Sequence, residues 1–398
     1  MQTKPGPTEV DLLSTDLPPL RIKGRTLLPI VQGGMGVGVS AHKLAGAVAR
    51  QGAVGTLSSV DLRRHHADLM EKTDKSKDKA LIDAANLEAL DREIGWALEL
   101  AQGQGMIAVN VMRAVSEYAH YVTQACKSGA QAIVVGAGLP LDLPDLAADF
   151  PDVALIPVLS DARGVAVVLR KWMRKNRLPD AIVIEHPGYA GGHVGAAKIE
   201  DIHDERFDFP VVLEGCFKVL DDLGLKREQV PFIMAGGINS PESVRELIRL
   251  GASGVQLGTA FAVTQEGDAH PNFKRILAEA KSEDIVEFMS VAGLPARAVR
   301  TPWLDSYLKR LPGLQARAKE RKGCTLNFDC LEVCGLRDGI SKVGQFCIDL
   351  HLSAAVKGDV QRGLFFRGSS SLPFGSEIRS VRELIAFMLG ALQPGQAT

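Results

Sequence analysis

The chain has 398 residues, 46% of them apolar and 23% charged, enough to bury one barrel-sized core and a further small region. A formal net charge of −1 offers no global attraction to nucleic acid or to an anionic membrane, and no apolar run reaches the roughly 18 residues of a membrane span. Six cysteines in so long a chain make no disulfide scaffold, and residues 1–20, with Lys4 and scattered prolines, lack the apolar stretch of a secretory signal. The expectation is a soluble cytoplasmic protein.

Residues 1–24 read as an N-terminal extension. From residue 25 onward, short β-branched runs alternate with amphipathic stretches. Strands are expected at 28–32, 53–57, 106–111, 132–136, 154–159, 181–185, 232–235 and 254–257, and helices at 41–51, 88–102, 116–128, 164–176 and 241–250. The strand runs are apolar without alternation, which suits strands buried on both faces of a parallel sheet. Eight strands with intervening helices over about 240 residues is the count and length of a (β/α)₈ TIM barrel, here assigned to residues 25–265. A doubly wound open sheet alternates in the same way, and the pattern favours the barrel over it. The charged insertion at 61–86 (Arg63, Arg64, Glu71, Lys72 and others) reads either as a solvated helical excursion or as a lid or oligomer contact at the catalytic end. Residues 196–225 interrupt the rhythm after the sixth strand. Residues 266–398 form a helical, cysteine-containing C-terminal appendage expected to close on the barrel, with a homodimer contact as one use for it.

Two glycine turns carry the first chemical signal. The run from Pro231 to Ala235 ends in Gly236-Gly237, and a helix then opens with Ser240 as its N-cap and Pro241 at its first position. About twenty residues on, Gly254-Val255-Gln256-Leu257-Gly258-Thr259 repeats the layout of strand, then glycine. Glycine lets a phosphate oxygen reach backbone amides, and the loops after strands seven and eight are the usual phosphate site of such barrels. A single Gly-Gly would be only a tight turn; two in tandem at the end of the series point to a phosphate-bearing ligand.

Further motifs narrow that ligand. Leu28-Pro29-Ile30-Val31-Gln32-Gly33-Gly34-Met35-Gly36, Asn110 at the end of a buried run, Ala190-Gly191-Gly192-His193, Asp268-Ala269-His270-Pro271 and Gly293-Leu294-Pro295-Ala296-Arg297 occur in that order. Together with the two turns, they make the chain resemble the nitronate monooxygenase (2-nitropropane dioxygenase) family of FMN-dependent TIM barrels over about residues 25–310. That family is related to flavin-type enoyl-ACP reductases and NAD(P)H:quinone reductases. The resemblance implies FMN contact for Gly33, Gly34, Met35, Asn110, Gly136, Gly191, Gly192, Gly236, Gly237, Gly258 and Thr259. It implies a catalytic role for His193 beside the flavin ring. Neutral, that imidazole could take a proton from a carbon acid; as a cation it could stabilise a nitronate. The implied activity is oxidation of alkyl nitronates or nitroalkanes by O₂ to carbonyl compounds and nitrite. The alternative is reduction of a quinone or enoyl thioester at the expense of NAD(P)H, and a barrel that binds a phosphate ligand without redox chemistry is a third reading. Tyr189 stands where many relatives carry an acidic residue, which bears on the substrate rather than the flavin.

No metal is assigned to the expected flavin site. Cys324, Cys330, Cys334 and Cys347 could bind zinc or an iron–sulfur cluster, yet their spacing matches no standard pattern, and buried thiols are common in reduced compartments. Both readings stand on sequence.

Overall fold

The computed structural model describes residues 13–326 and 329–391; the first half of the expected N-terminal extension and the last seven residues of the expected appendage lie outside them. A hairpin opens the described chain. Its strands β1 (Leu20–Ile22) and β2 (Arg25–Leu27) pair antiparallel around a turn at Lys23 and Gly24, both with positive φ. Leu20, Ile22 and Leu27 are buried with the inward side chains of the barrel strands, so the hairpin plugs the end opposite the site.

Eight parallel strands then close a barrel: β3 (Ile30–Gln32), β4 (Val54–Ser58), β5 (Met106–Met112), β6 (Ala132–Gly136), β7 (Ala154–Leu159), β8 (Ile182–Glu185), β10 (Phe232–Ala235) and β11 (Gly254–Leu257). The short β9 (Gly192–His193) lies outside the barrel sheet. The chain therefore folds as a (β/α)₈ barrel, and all eight expected strands are present with ends shifted by at most two residues. Small and branched residues, among them Val31, Ala108, Val134, Ile156, Val183 and Ile233, fill the interior. Outward residues such as Ile107, Val135 and Leu155 meet the surrounding helices in a second, larger core. Between β3 and β4 the backbone pairs only at Val31 and Val54. The buried Gln32 side chain continues the ladder: its Nε2 donates to Thr56 O at 3.0 Å, and its Oε1 accepts from Thr56 N at 2.8 Å.

The charged insertion is helical. A helix at Ala67–Thr73 precedes a long one at Lys79–Ala101, which begins nine residues before the expected start. Asp78 caps it by accepting from the Ala80 and Leu81 amides, and Ile82, Ala85, Ala89, Leu90, Glu93, Ile94 and Ala97 form its buried face. One polar cluster is buried there: Glu93 Oε2 lies 2.7 Å from His42 Nδ1, and Glu93 Oε1 lies 3.1 Å from His66 Nε2. Burial opposes the Glu93 charge, yet its hydrogen bonds with the two histidines outweigh that and hold the carboxyl down at about 2.

The C-terminal region contains helices, including Pro302–Ala316, Ile348–Val356 and Val381–Met388, but it also contributes strands. Strands β12 (Ile285–Met289) and β13 (Pro295–Val299) form a hairpin, and β9 adds to its edge, with Arg297 opposite Gly192 and Ala296 opposite His193. His193 thus sits on a small antiparallel sheet laid across the barrel mouth rather than on a loop alone.

Candidate active site

One cavity of about 590 Å³ opens at the C-terminal ends of the barrel strands. All twelve residues singled out from sequence line it: Gly33, Gly34, Met35, Asn110, Gly136, Gly191, Gly192, His193, Gly236, Gly237, Gly258 and Thr259. They come from β3, β5, β6, the β8–β9 connection, β10 and β11, so the barrel gathers positions spread over more than 220 residues.

The geometry explains the glycines individually. At Gly34 a Cβ would stand 2.3 Å from Asn110 Cβ, so β3 can approach β5 only because that atom is absent. Gly236 and Gly237 have φ of +98° and +78°, which side-chain-bearing residues rarely adopt. At Gly258 a Cβ would enter open cavity, with only Met35 Sδ at 3.9 Å. The amides of Gly236, Gly237 and Gly258 donate to no partner among the described residues. Uncommitted backbone donors beside a glycine that opens onto the cavity are what a phosphate group requires. The Asn110 side chain likewise makes no hydrogen bond among the described residues, which leaves its amide for a ligand. The charge-free donor set fits a flavin phosphate and a polar ring edge.

His193 Nε2 shares a 3.0 Å hydrogen bond with Ser290 Oγ, and its ring lies 5.7 Å from that of Phe366. Burial lowers its pKa to about 4, so at neutral pH the imidazole is uncharged.

Several neighbours escaped the sequence reading. Glu185 ends β8 inside the cavity with no hydrogen-bond partner among the described residues, and burial raises its carboxyl to about 7 even though Arg297 pulls the other way. A lone carboxylate closing an apolar strand run is the signal that could have found it. Arg297, 1% exposed, donates from Nη1 to the carbonyls of Pro187 (2.9 Å) and Ala190, and its fork also grips Glu287. It fastens β13 to the chain that leads into β9. A strap from the C-terminal region crosses the two glycine turns: Gly368 N donates to Thr259 Oγ1 (3.0 Å), Ser369 Oγ to Gly188 O (2.9 Å), and Asn239 Nδ2 to Ser371 Oγ (2.9 Å). The Arg367-Gly368-Ser369-Ser370-Ser371 run after two phenylalanines was its only sequence mark. Asp268 also gains a role: its carboxylate accepts from the amides of Ala41, Lys43 and Leu44, capping the first barrel helix, which has no cap of its own.

The cavity's electrostatic character is one-sided. Asp61, Asp83, Glu117, Asp161, Glu185, Asp329 and Asp349 line it, whereas no lysine or arginine does among the described residues. Arg63 and Arg64 stand behind this wall, bonded to Asp61, and Arg64 also reaches Asp349 at 2.7 Å. The insertion and the appendage therefore meet at the cavity's rim. No helix among the described residues is long and apolar enough to cross a membrane.

Comparison with known proteins agrees with this geometry. The nitronate monooxygenase family model matches residues 20–389. A probable nitronate monooxygenase of Bacillus subtilis is 25% identical over 286 residues, which is 70% of this chain and 78% of that protein. Among solved structures, FabK from Thermotoga maritima superposes with a TM-score of 0.64 at 23% identity, covering 94% of this chain and 93% of that one. A nitroalkane oxidase from Streptomyces ansochromogenes gives 0.60 at 19% identity, covering 91% and 96%. At these identities the two structures speak to the fold.

Proposed function

Since the chain belongs to the nitronate monooxygenase family, and is thereby a flavin oxidoreductase, we propose that it uses FMN and O₂ to oxidise nitroalkanes or their nitronates to carbonyl compounds and nitrite. The observation that carries the reading is the meeting of the two glycine turns, Asn110 and an uncharged His193 in one cavity. FMN, when bound, supplies the electron-accepting ring. The amides of Gly236, Gly237 and Gly258, with the Thr259 hydroxyl, would hold its phosphate. Gly33, Gly34 and Met35 would lie against the ring system, and Asn110 would hydrogen-bond a polar edge of the ring. A Cβ at Gly191 would stand 2.6 Å from the Arg367 and Gly368 backbone, so its absence lets the strap close in, while Gly192 and Gly136 face Phe366 and Val158.

His193 would take the proton from the carbon that bears the nitro group. Ser290 fixes the imidazole. Glu185, a buried carboxyl in the cavity wall without a side-chain partner among the described residues, favours the neutral nitroalkane over its anion beside it. The test is His193→Asn assayed with a neutral nitroalkane and with the pre-formed nitronate. Turnover of the neutral substrate should fall by about 10²–10⁴-fold with flavin content unchanged, whereas nitronate turnover should change far less. A variant that oxidises the neutral nitroalkane at the wild-type rate removes the proton-acceptor role.

A further inference from the structure

Three arginines are buried among the described residues: Arg63, Arg297 and Arg367, at 3%, 1% and 4% exposed. Arg63 pairs with Asp61, and Arg297 with Glu287. Arg367 differs. Its Nε donates to Leu277 O at 2.8 Å, and its Nη1 donates to Gly368 O and Ser370 O at 2.6 and 3.2 Å, all neutral carbonyls. No carboxylate among the described residues forms an ion pair with it, and Asp284, the acid that supports its charge, does so from outside pairing distance against the pull of burial. A guanidinium keeps its proton even when buried, so a counter-anion is what its surroundings lack.

The strap that carries Arg367 shows where that anion would sit. Gly368 N donates to Thr259 Oγ1 at 3.0 Å, which leaves the Thr259 hydroxyl hydrogen for a ligand. Ser370 O turns toward Arg367, and a planar trans peptide therefore sends the Ser371 N–H the opposite way. The amides of Ser370 and Ser371 donate to no partner among the described residues. Gly368, Ser370 and Ser371 line the same cavity as the two glycine turns, and Asn239 Nδ2 holds Ser371 Oγ at 2.9 Å just past Gly236-Gly237. Arginine charge, free amides and glycine turns thus converge on one end of the cavity.

We propose that this strap is the fourth wall of the phosphate pocket: the Ser370 and Ser371 amides and the Ser370 hydroxyl close over the phosphate, and Arg367 behind them supplies the balancing charge. The assignment rests on the FMN reading above and gives it a selectivity. A terminal phosphate brings close to two negative charges to a pocket whose other donors are neutral amides and hydroxyls. Within a protein wall the attraction to a fixed cation is stronger than in water. The strap therefore selects a flavin that ends in phosphate over the same ring system without it.

The test compares FMN with riboflavin, the same flavin lacking the phosphate, each titrated into the flavin-free full chain and followed by flavin fluorescence. The parent should bind FMN at least about 100-fold more tightly than riboflavin. Arg367→Met keeps the buried stem and removes the charge, so FMN affinity should fall about 10–100-fold while riboflavin affinity holds. Arg367→Lys restores the charge without the fork that grips three carbonyls, and it should recover most of the preference for FMN. Ser370→Ala should lower that preference about 3–10-fold. Riboflavin affinity and the thermal transition show that each variant folds. Equal affinity of the parent for the two flavins, a methionine variant that keeps the parent's ratio, or a lysine variant no better than the methionine one overturns the assignment. Nitroalkane turnover is read separately: its absence beside an Arg367-dependent preference for FMN removes the proposed activity and supports the strap's role.

Discussion

Arg297→Met separates the sheet carrying His193 from the chain that feeds it while keeping most of the side chain's buried stem. The guanidinium is 1% exposed and bonds Glu287, Pro187 O and Ala190 O. Its loss strands two carbonyls and leaves Glu287 with only His203, 3.3 Å away. Breaking a buried charge pair costs about 3–5 kcal/mol, a range that already contains the unpaired acceptors. Unfolding entropy of about 2.1 cal/mol/K per residue gives about 0.8 kcal/mol/K for 398 residues, so the midpoint should fall by about 4–6 °C. Differential scanning calorimetry reads this directly, and kcat should drop with it as His193 loses its fixed position. Arg297→Lys keeps the charge without the fork and should recover only part of the loss. A methionine variant melting within about 1 °C of the parent, with unchanged kcat, would refute the role given to Arg297.

Gly258→Ala puts a methyl group into open cavity with only Met35 Sδ nearby, so the melting temperature should hold while FMN affinity falls at least about tenfold, as followed by flavin fluorescence; equal affinity would free that turn from phosphate binding. Glu185, raised to about 7, keeps its proton in the folded chain between about pH 4.5 and 7 where the unfolded chain has released it, so this group makes stability fall as pH rises through that window. Glu185→Gln should flatten that fall and remove a limb near pH 7 from the rate profile; an unaltered profile would exclude Glu185 from proton handling. Glu93 works in the opposite sense: held at about 2 against an ordinary 4.5, it adds stability above pH 4.5 that is lost as pH drops toward 2. Glu93→Gln should therefore cost about 3 kcal/mol at pH 7 and show a shallower acid transition in denaturant titrations than the parent.

The barrel was legible because each strand is a short, wholly apolar run, a pattern that burial on both faces imposes. The glycine turn at Gly236-Gly237 was legible because both residues need backbone angles that other residues avoid. What stayed hidden depends on contacts remote in sequence. The β9 strand has two residues and becomes a strand only through Ala296 and Arg297, a hundred residues on. Strand β12 carries Glu287 among partly exposed residues, so it lacked the buried-strand signature, and the buried β13 contains Arg297 and starts at Pro295. The long helix at Lys79–Ala101 begins in charged turns that mask its start, although its apolar spacing runs back to Ile82. The strap meets Thr259 across 109 residues, a contact no local pattern announces. At the site, glycines and His193 could be read as types suited to a flavin, whereas Glu185 and Arg297 acquire meaning only from the burial around them.

The central claim is a flavin in this cavity that a nitroalkane-derived substrate reduces. Anaerobic absorbance of the FMN-loaded protein, mixed with a nitroalkane and its nitronate or with NADH, tests it most directly. Bleaching of the flavin's visible band by the nitro compound, with little change from NADH, is the predicted result. Bleaching by NADH alone, or a protein that takes up no FMN, would contradict the account.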